Sequence, residues 1–196
     1  MATLYFQGHG SFRLTTNAGK VLYIDPFAGD GYEVPADLIL VTHQHPDHNR
    51  IDLPARADGC VVYQNTDALK DGKYQQADIA GVHIEAVPAY NKNHHRDTCV
   101  GYLLTVDDLT LYFAGDTSKT AEMDDLAGRG IDYAFLPTDG FFNMDIPEAM
   151  ECAQRIGAKH VVPVHIAPGK LFDPLRAETF TADGRLILLP GTETAL

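Results

Sequence analysis

The sequence contains no tryptophan and only three cysteines, Cys60, Cys99 and Cys152. No two of these cysteines form a C-x-x-C pair and their number is odd, which argues against a disulfide framework. The sequence therefore predicts three free thiols and a cytoplasmic protein.

Long apolar runs and an excess of basic residues are missing as well. No stretch approaches the ~20 apolar residues that a helix needs to cross a bilayer, and the N-terminus lacks a basic region followed by an apolar one. Lys and Arg number 15 against 27 Asp and Glu, which gives a net charge of −12. Binding of nucleic acid by bulk charge needs clustered cations that neutralise phosphates. A nucleic acid is therefore a disfavoured partner, and no membrane contact is expected.

The apolar content of the chain is sufficient for one core. Its 196 residues are 45% hydrophobic, which predicts a single domain over residues 1–196. Asp145 predicts the start of the main helix, with Glu148 as the second half of a capping box and Gly157 as its stop. Short β-rich runs bounded by turn residues predict strands at residues 3–7, 11–15, 21–25, 38–42, 60–64 (as a buried strand), 82–87, 100–106, 109–114, 131–136, 160–165 and 186–190.

The densest chemical signal is the segment Leu38–His48, which reads LILVTHQHPDH. An apolar run that ends in a proline-containing polar turn is typical of a buried strand followed by a loop. The loop carries His43, His45, Asp47 and His48, and such ligands suit Zn²⁺ or another divalent ion such as Mn²⁺ or Fe. One ion cannot easily take all four ligands from so short a loop, so two adjacent ions are the better prediction.

Further candidate ligands stand at the ends of other predicted strands: the pair His94 and His95, then Asp116, then His165. Asp116 follows a glycine and is well placed to reach a site at the sheet edge. Its alternative role is to cap a predicted helix over residues 119–126. His9, between two glycines, is predicted to support the site rather than to bind metal.

These motifs resemble the metallo-β-lactamase superfamily. The resemblance rests on His43-x-His45-x-Asp47-His48, on Gly115-Asp116-Thr117 and on the late His165. The order of elements is similar to a compact branch of metal-dependent hydrolases, to which the branch of ascorbate-6-phosphate lactonase is related. The resemblance implies an α+β fold, a four-layer αββα sandwich of two mixed β-sheets flanked by helices, with a dinuclear metal site at the sheet edges.

The resemblance also implies a division of ligands between two divalent ions, most suitably Zn. His43 and His45 would hold one ion, Asp47, His48 and His165 the other, and Asp116 would bridge them. The chain departs from the family pattern at the third motif, where Tyr90 stands in place of a histidine. His95 is the favoured substitute from the following loop, with His94 or an open position as alternatives.

The implied activity is hydrolysis of a small soluble substrate by a hydroxide that bridges the two metals. Asp47 would orient this nucleophile, and Tyr90 would donate a hydrogen bond to the substrate. The sequence does not decide whether the bond cleaved is that of an ester, a lactone, a thioester or a phosphodiester. A phosphodiester would need nearby cations, for which the candidates are His94, Arg96, Lys92 and Lys170. The alternative is a non-hydrolytic metal-binding module, either degenerate or a redox di-iron site. A homo-oligomer is left open.

Overall fold

A computed structural model describes all 196 residues. It contains fourteen strands: β1 Thr3–Gly8, β2 Ser11–Thr15, β3 Val21–Ile24, β4 Ala36–Val41, β5 Arg56–Gln64, β6 Leu69–Lys70, β7 Lys73–Tyr74, β8 Gln76–Ile79, β9 Val82–Pro88, β10 Val100–Val106, β11 Leu109–Phe113, β12 Tyr133–Pro137, β13 His160–Val164 and β14 Thr192–Ala195. The helices are α1 Asn65–Ala68, α2 Ile146–Ile156 and α3 Pro174–Ala177, with a 3-10 helix at Ala121–Leu126. None of the helices combines the length and the apolar character needed to cross a membrane.

The strands form two six-stranded mixed sheets, in the orders β14-β1-β2-β3-β4-β5 and β13-β12-β11-β10-β9-β8, while β6 and β7 form a small hairpin. In the first sheet β3, β4 and β5 are parallel, and in the second β11, β12 and β13 are parallel. The remaining neighbours are antiparallel. The prediction of two mixed sheets in an α+β fold is confirmed.

The main core lies between the two sheets, where 23 buried apolar residues pack together. Alternation along each strand explains which side chains enter it, since Leu38 and Leu40 face the opposite sheet while Ile39 and Val41 face outward. The outer face of the second sheet packs against α2. The outer face of the first sheet is covered by loop residues such as Tyr32 and Leu53 instead of a helix. Of the two helical layers of the predicted sandwich, only the one on the second sheet contains a long helix.

Two predicted strands differ from the structure. The last strand is β14, not residues 186–190: Leu186 makes one backbone bond to Val161 at the edge of the second sheet, and the chain then leaves that edge. The sequence predicts a buried strand at residues 60–64, but every residue of β5 is exposed or half-buried because β5 is the edge strand of its sheet.

The start of α2 provides a test of the capping prediction. The Asp145 carboxylate accepts a hydrogen bond from the Glu148 backbone amide at 2.9 Å. Glu148 does not return a bond to complete the predicted box, because its own carboxylate accepts from the Lys119 amide at 2.8 Å.

Replacing Asp145 with Ala is expected to lower the free energy of unfolding by about 1 kcal/mol, as measured by urea denaturation. Asp145→Asn keeps an acceptor and should lose much less, and equal losses in both variants would contradict the capping role.

Candidate metal centre

The candidate residues meet because the strands that carry them run in the same direction. β1, β3 and β4 are mutually parallel in the first sheet, as are β9, β11, β12 and β13 in the second. The carboxyl ends of such strands collect at one edge, where ligands bind in mixed and parallel sheets. Each of these strands is followed by a polar residue of the site: His9, Asp25, His43, His94, Asp116, Asp139 and His165.

One group of candidate ligands consists of three imidazoles, those of His43, His45 and His94. Their ligand nitrogens all lie within 4.8 Å of one another. His43 and His94 are buried, whereas His45 is exposed at the open side of the group. Three imidazoles that converge in this way can hold a divalent ion and leave a coordination position for water or substrate.

A second group is formed by His9, Asp47, His48 and His165, whose ligand atoms also lie within 4.8 Å of one another. Asp47 Oδ2 lies 3.3 Å from His9 Nε2 and 3.8 Å from His165 Nε2. The rings of His9 and His165 have centroids 3.7 Å apart. His9 therefore lies directly against the ligand atoms of this group.

Asp116 lies between the two groups. One carboxylate oxygen is 3.3 Å from His48 Nε2, and the other is 3.2 Å from His94 Nε2 and 3.5 Å from His165 Nε2. The alternative role as a helix cap is not observed, since the 3-10 helix begins at Ala121 with Thr120 before it. Gly115 permits this placement because its φ is +63° and a Cβ there would lie 2.9 Å from the Val100 carbonyl oxygen.

The ring orientation of the buried histidines is set by partners on the Nδ1 side. His48 Nδ1 lies 2.8 Å from an Asp25 oxygen and His94 Nδ1 lies 2.9 Å from Asn91 Oδ1. His165 Nδ1 lies 2.9 Å from Asp139 Oδ2. Such partners fix the tautomer and leave Nε2 as the ligand atom, which is how metal-binding histidines are commonly held.

The atoms that face the middle of the cluster lack well-directed hydrogen bonds. The buried Nε2 atoms of His43, His48 and His165 and the buried Oδ1 of Asp116 make none, although His48 Nε2 and Asp116 Oδ1 lie 3.3 Å apart. Buried polar atoms are rarely left unsatisfied because each costs about 1–3 kcal/mol. Four such atoms that converge on one region fit ligation of metal ions.

The electrostatics of the cluster favour positive charge. Burial raises the pKa of Asp116, but the nearby His48 and His165 outweigh it and hold that pKa well below its usual range. Burial lowers the pKa of His165, but Asp116, Asp139 and Asp47 outweigh it and raise the pKa to about 9. His43, by contrast, has a pKa lowered to about 2 by burial and by the neighbouring His48. The carboxylates thus stabilise cations in the centre, while His43 stays neutral and available as a ligand.

Backbone conformation at the site is also unusual. His9, Asp25 and His165 have φ values of 58°, 45° and 45°. This left-handed conformation costs a non-glycine residue about 1–2 kcal/mol. The surrounding structure holds these residues in place in spite of that cost, as expected where a functional centre is built.

The structure brings His94, and not the predicted His95, to the group of imidazoles. His94 is buried and joins His43 and His45, while His95 is exposed and belongs to none of the groups. The physical reason is the turn before them, in which Asn91 Oδ1 accepts from the backbone amide and from Nδ1 of His94. Position 94 is thereby turned inward and position 95 outward.

Tyr90, predicted to contact the substrate, is engaged elsewhere. Its hydroxyl donates to Glu122 at 3.0 Å, and the Arg96 guanidinium lies over its ring at 5.0 Å from the centroid. These contacts tie the loop that carries His94 to the 3-10 helix. The remaining predicted residues, His43, His45, Asp47, His48, Asp116 and His165, are all brought together.

Three residues of the site had no role in the sequence-based prediction: Asp25, Asn91 and Asp139. Each stands directly or shortly after a strand. Asp25 and Asp139 are followed by Pro26 and Gly140, and Asn91 is itself a residue type that favours turns. Their location at strand ends could have identified them as residues of the site, since a carboxylate or amide at a strand end can reach the same sheet edge as the ligands.

The fold and the centre together define a protein with a metal-binding edge on a two-sheet sandwich, and comparison with known proteins agrees. A family model described as the Beta-lactamase superfamily domain matches residues 3–165. A UPF0173 metal-dependent hydrolase from Thermococcus kodakarensis is 32% identical, with the whole of both chains covered. A solved structure from Parabacteroides distasonis is 32% identical with a TM-score of 0.77, covering 95% of this chain and 92% of that one.

A more distant structure, the metallo hydrolase Igni18 from Ignicoccus hospitalis, is 22% identical with a TM-score of 0.74. The match covers 98% of this chain and 97% of the Igni18 chain, which shows that the two proteins share a fold. The chain belongs to the metallo-β-lactamase superfamily, among the UPF0173 metal-dependent hydrolases. The predicted superfamily and the prediction of a metal-dependent hydrolase are confirmed.

Proposed function

We propose that the chain holds two divalent ions, most suitably Zn, and hydrolyses a small substrate beside them. The observation that carries this proposal is the set of buried ligand atoms without well-directed hydrogen bonds, three imidazole nitrogens and one carboxylate oxygen, which converge from one strand end in the first sheet and two in the second. In the proposed site His43, His45 and His94 would hold one ion, and Asp47, His48 and His165 would hold the other. Asp116 lies 3.3 Å from His48 and 3.2 Å from His94, so its carboxylate would serve both ions.

When bound, two divalent ions lower the pKa of a water molecule toward ~7 and accept negative charge that develops on the substrate. The protein's own contribution is to fix the donors and to hold the nucleophile. The side chain of Asp47 is 36% exposed, the largest exposure among the cluster's carboxylates. Its second oxygen is therefore accessible to accept a hydrogen bond from the attacking water and to orient it.

His9 is proposed as a positioning residue for Asp47. Its Nε2 contacts Asp47 Oδ2, and its Nδ1 lies 3.3 Å from the carbonyl oxygen of Lys170. The carbonyl oxygen and the ionised Asp47 carboxylate both only accept, so a neutral His9 donates to one of them at a time. With its proton on Nε2, His9 donates to Asp47 and limits rotation of that carboxylate.

A non-hydrolytic, degenerate module would be favoured if the replacement of the third-motif histidine by Tyr90 left the first ion with too few ligands. His94 lies with His43 and His45 and is proposed to provide the third ligand, which favours the hydrolase. Tyr90 is proposed to anchor the loop of His94 through Glu122 and Arg96, in place of the substrate contact expected from the sequence.

The metal stoichiometry of two variants tests the proposed ligand set. His94→Ala should lower the metal content from two ions per chain toward one, because the first ion loses one of three imidazoles, and hydrolysis of para-nitrophenyl acetate should fall with it. His95→Ala is the matched control and should keep both ions. Elemental analysis of protein purified without chelator gives the content. Loss of metal in the His95 variant, or full content and turnover in the His94 variant, would contradict the assignment.

A further inference from the structure

Two adjacent phenylalanines stand exposed beside the candidate metal centre. Phe141 is 65% exposed and Phe142 is 42% exposed, and their rings pack edge to face with centroids 4.7 Å apart. Most large apolar side chains of this protein are buried. Clustered apolar exposure in a folded protein commonly marks a surface that binds something apolar.

The segment that carries the two rings is held in place by a residue of the metal centre. Asp139 Oδ1 accepts hydrogen bonds from the backbone amides of Phe141 and Phe142, each at 2.6 Å. The other oxygen of Asp139 lies 2.9 Å from His165 Nδ1. The position of the phenylalanines is therefore fixed by the same carboxylate that orients a candidate ligand of the second ion.

The same segment is bound to the other half of the centre. The carbonyl oxygen of Phe142 accepts from Asn91 Nδ2 at 2.9 Å and from Asn93 Nδ2 at 3.0 Å. Asn91 Oδ1 in turn contacts His94 Nδ1 at 2.9 Å. The phenylalanine pair thus belongs to a loop that is hydrogen-bonded to residues supporting both groups of ligands.

The cations near the site are occupied by protein partners. Arg96 pairs with Glu122, and Lys170 pairs with Asp173 at 3.1 Å. Arg176 donates to the backbone carbonyl oxygens of Thr138 and Asp139 at 3.0 and 2.7 Å. Of the cations considered for a phosphodiester, only Lys92 makes no ion pair, and the chain as a whole carries a net charge of −12. The protein's own side chains therefore offer an anionic substrate little unpaired positive charge.

We infer that Phe141 and Phe142 bind the apolar acyl group of an uncharged carboxylic ester or thioester that is hydrolysed at the metal centre. The inference rests on the proposed function and names its substrate class. In the reaction the bond between the carbonyl carbon and the leaving oxygen or sulfur breaks, and a bond from that carbon to the water oxygen forms. One water proton passes to the leaving group, so the products are a carboxylic acid and an alcohol or thiol.

The test compares para-nitrophenyl acetate, para-nitrophenyl hexanoate and bis-para-nitrophenyl phosphate as substrates of the metal-loaded protein. The wild-type kcat/KM should be at least about tenfold higher for hexanoate than for acetate, because four more methylenes meet an apolar surface. In the double variant Phe141→Ala/Phe142→Ala this preference should fall by about tenfold, while the metal content stays at the wild-type value. The phosphodiester should be the poorest of the three substrates.

Leu189→Ala is the matched control, since Leu189 is 53% exposed and its backbone carbonyl oxygen accepts hydrogen bonds from Thr192, which is not a residue of the metal centre. It should retain the wild-type preference for hexanoate. An unchanged preference in the double variant, or a higher kcat/KM for the phosphodiester, would overturn the inference while the proposed hydrolase stands. Conversion of a dimer to a monomer by the double variant, with the preference intact, would instead identify the pair as a contact between copies. Failure of the metal-loaded wild type to hydrolyse any of the three would count against both proposals.

Discussion

Replacing Asp116 with Asn is expected to lower both metal affinity and hydrolysis by more than about a hundredfold, since loss of a ligand's supporting residue alone commonly costs 10–100-fold. Asp116 is the carboxylate that contacts both groups of imidazoles, at 3.3 Å from His48 Nε2 and 3.2 Å from His94 Nε2. Its side chain is only 4% exposed, so solvent water has little access to the position where the negative charge is lost. Asparagine preserves the shape, which isolates the effect of charge from that of packing.

The measurement combines elemental analysis with para-nitrophenyl ester turnover over a range of added Zn²⁺. Asp52→Asn is the matched control, because Asp52 is an exposed carboxylate paired with Arg50 at 2.8 Å and lies in the segment that follows the metal loop. It should keep both ions and full activity. Normal metal content and turnover in Asp116→Asn would refute the bridging role.

Most residues of the candidate metal centre can be predicted from the sequence, because residues that follow strands of the same direction lie close together at one sheet edge. His43, Asp116 and His165 are distant along the chain, yet each follows a strand of the parallel part of a sheet. A polar residue at the end of a buried apolar run is visible in the sequence. Its convergence with others follows once the strands share a direction.

The choice between His94 and His95 could not be made from that reasoning. Both follow the same strand, and only the local turn decides which one points inward. Asn91 forms this turn by accepting from the amides of Asn93 and His94, a conformation that asparagine favours. The spacing Asn91-x-x-His94 therefore indicates an inward-facing His94, although asparagine is so common in loops that the spacing alone is weakly specific.

The final strand was misplaced because apolar content was weighted over pairing. Residues 186–190 are more apolar than β14, but Leu188 enters the core from an irregular segment. β14 is a polar edge strand with a single neighbour, β1. Pairing at an edge depends on the backbone, which the side-chain pattern of such a strand does not reveal.

Replacing Asp139 with Ala is expected to lower the free energy of unfolding by about 2–4 kcal/mol, because removal of a buried acceptor leaves several donors unsatisfied. Its fully buried side chain accepts from the Phe141 and Phe142 amides at 2.6 Å and from Asn143 Nδ2 at 2.8 Å. Burial raises the pKa of Asp139, but its bonds to His165 and to these amides outweigh burial and lower the pKa to about 2. The carboxylate is thus ionised at neutral pH and serves the loop and His165 together.

A second variant separates these two roles. Asp139→Asn retains one acceptor oxygen for the loop amides but presents an NH₂ group or a weaker acceptor to His165 Nδ1. It should therefore lose less stability than Asp139→Ala, while metal affinity falls about 10–100-fold in both variants. Urea denaturation gives the stability, and competition with a chromogenic chelator gives the affinity.

The control for burial alone is Asp132→Ala. Asp132 is also a buried aspartate, and it accepts from the Thr110 amide at 2.8 Å and from Lys159 Nζ at 2.7 Å, but it contacts no candidate ligand. This variant should be destabilised with unchanged metal affinity. If Asp132→Ala weakened metal binding as much as Asp139→Asn did, the effect would be a general consequence of lost stability, and Asp139 would have no specific role in orienting His165. A fall in affinity confined to the Asp139 variants would instead require that the carboxylate acts through the imidazole it contacts.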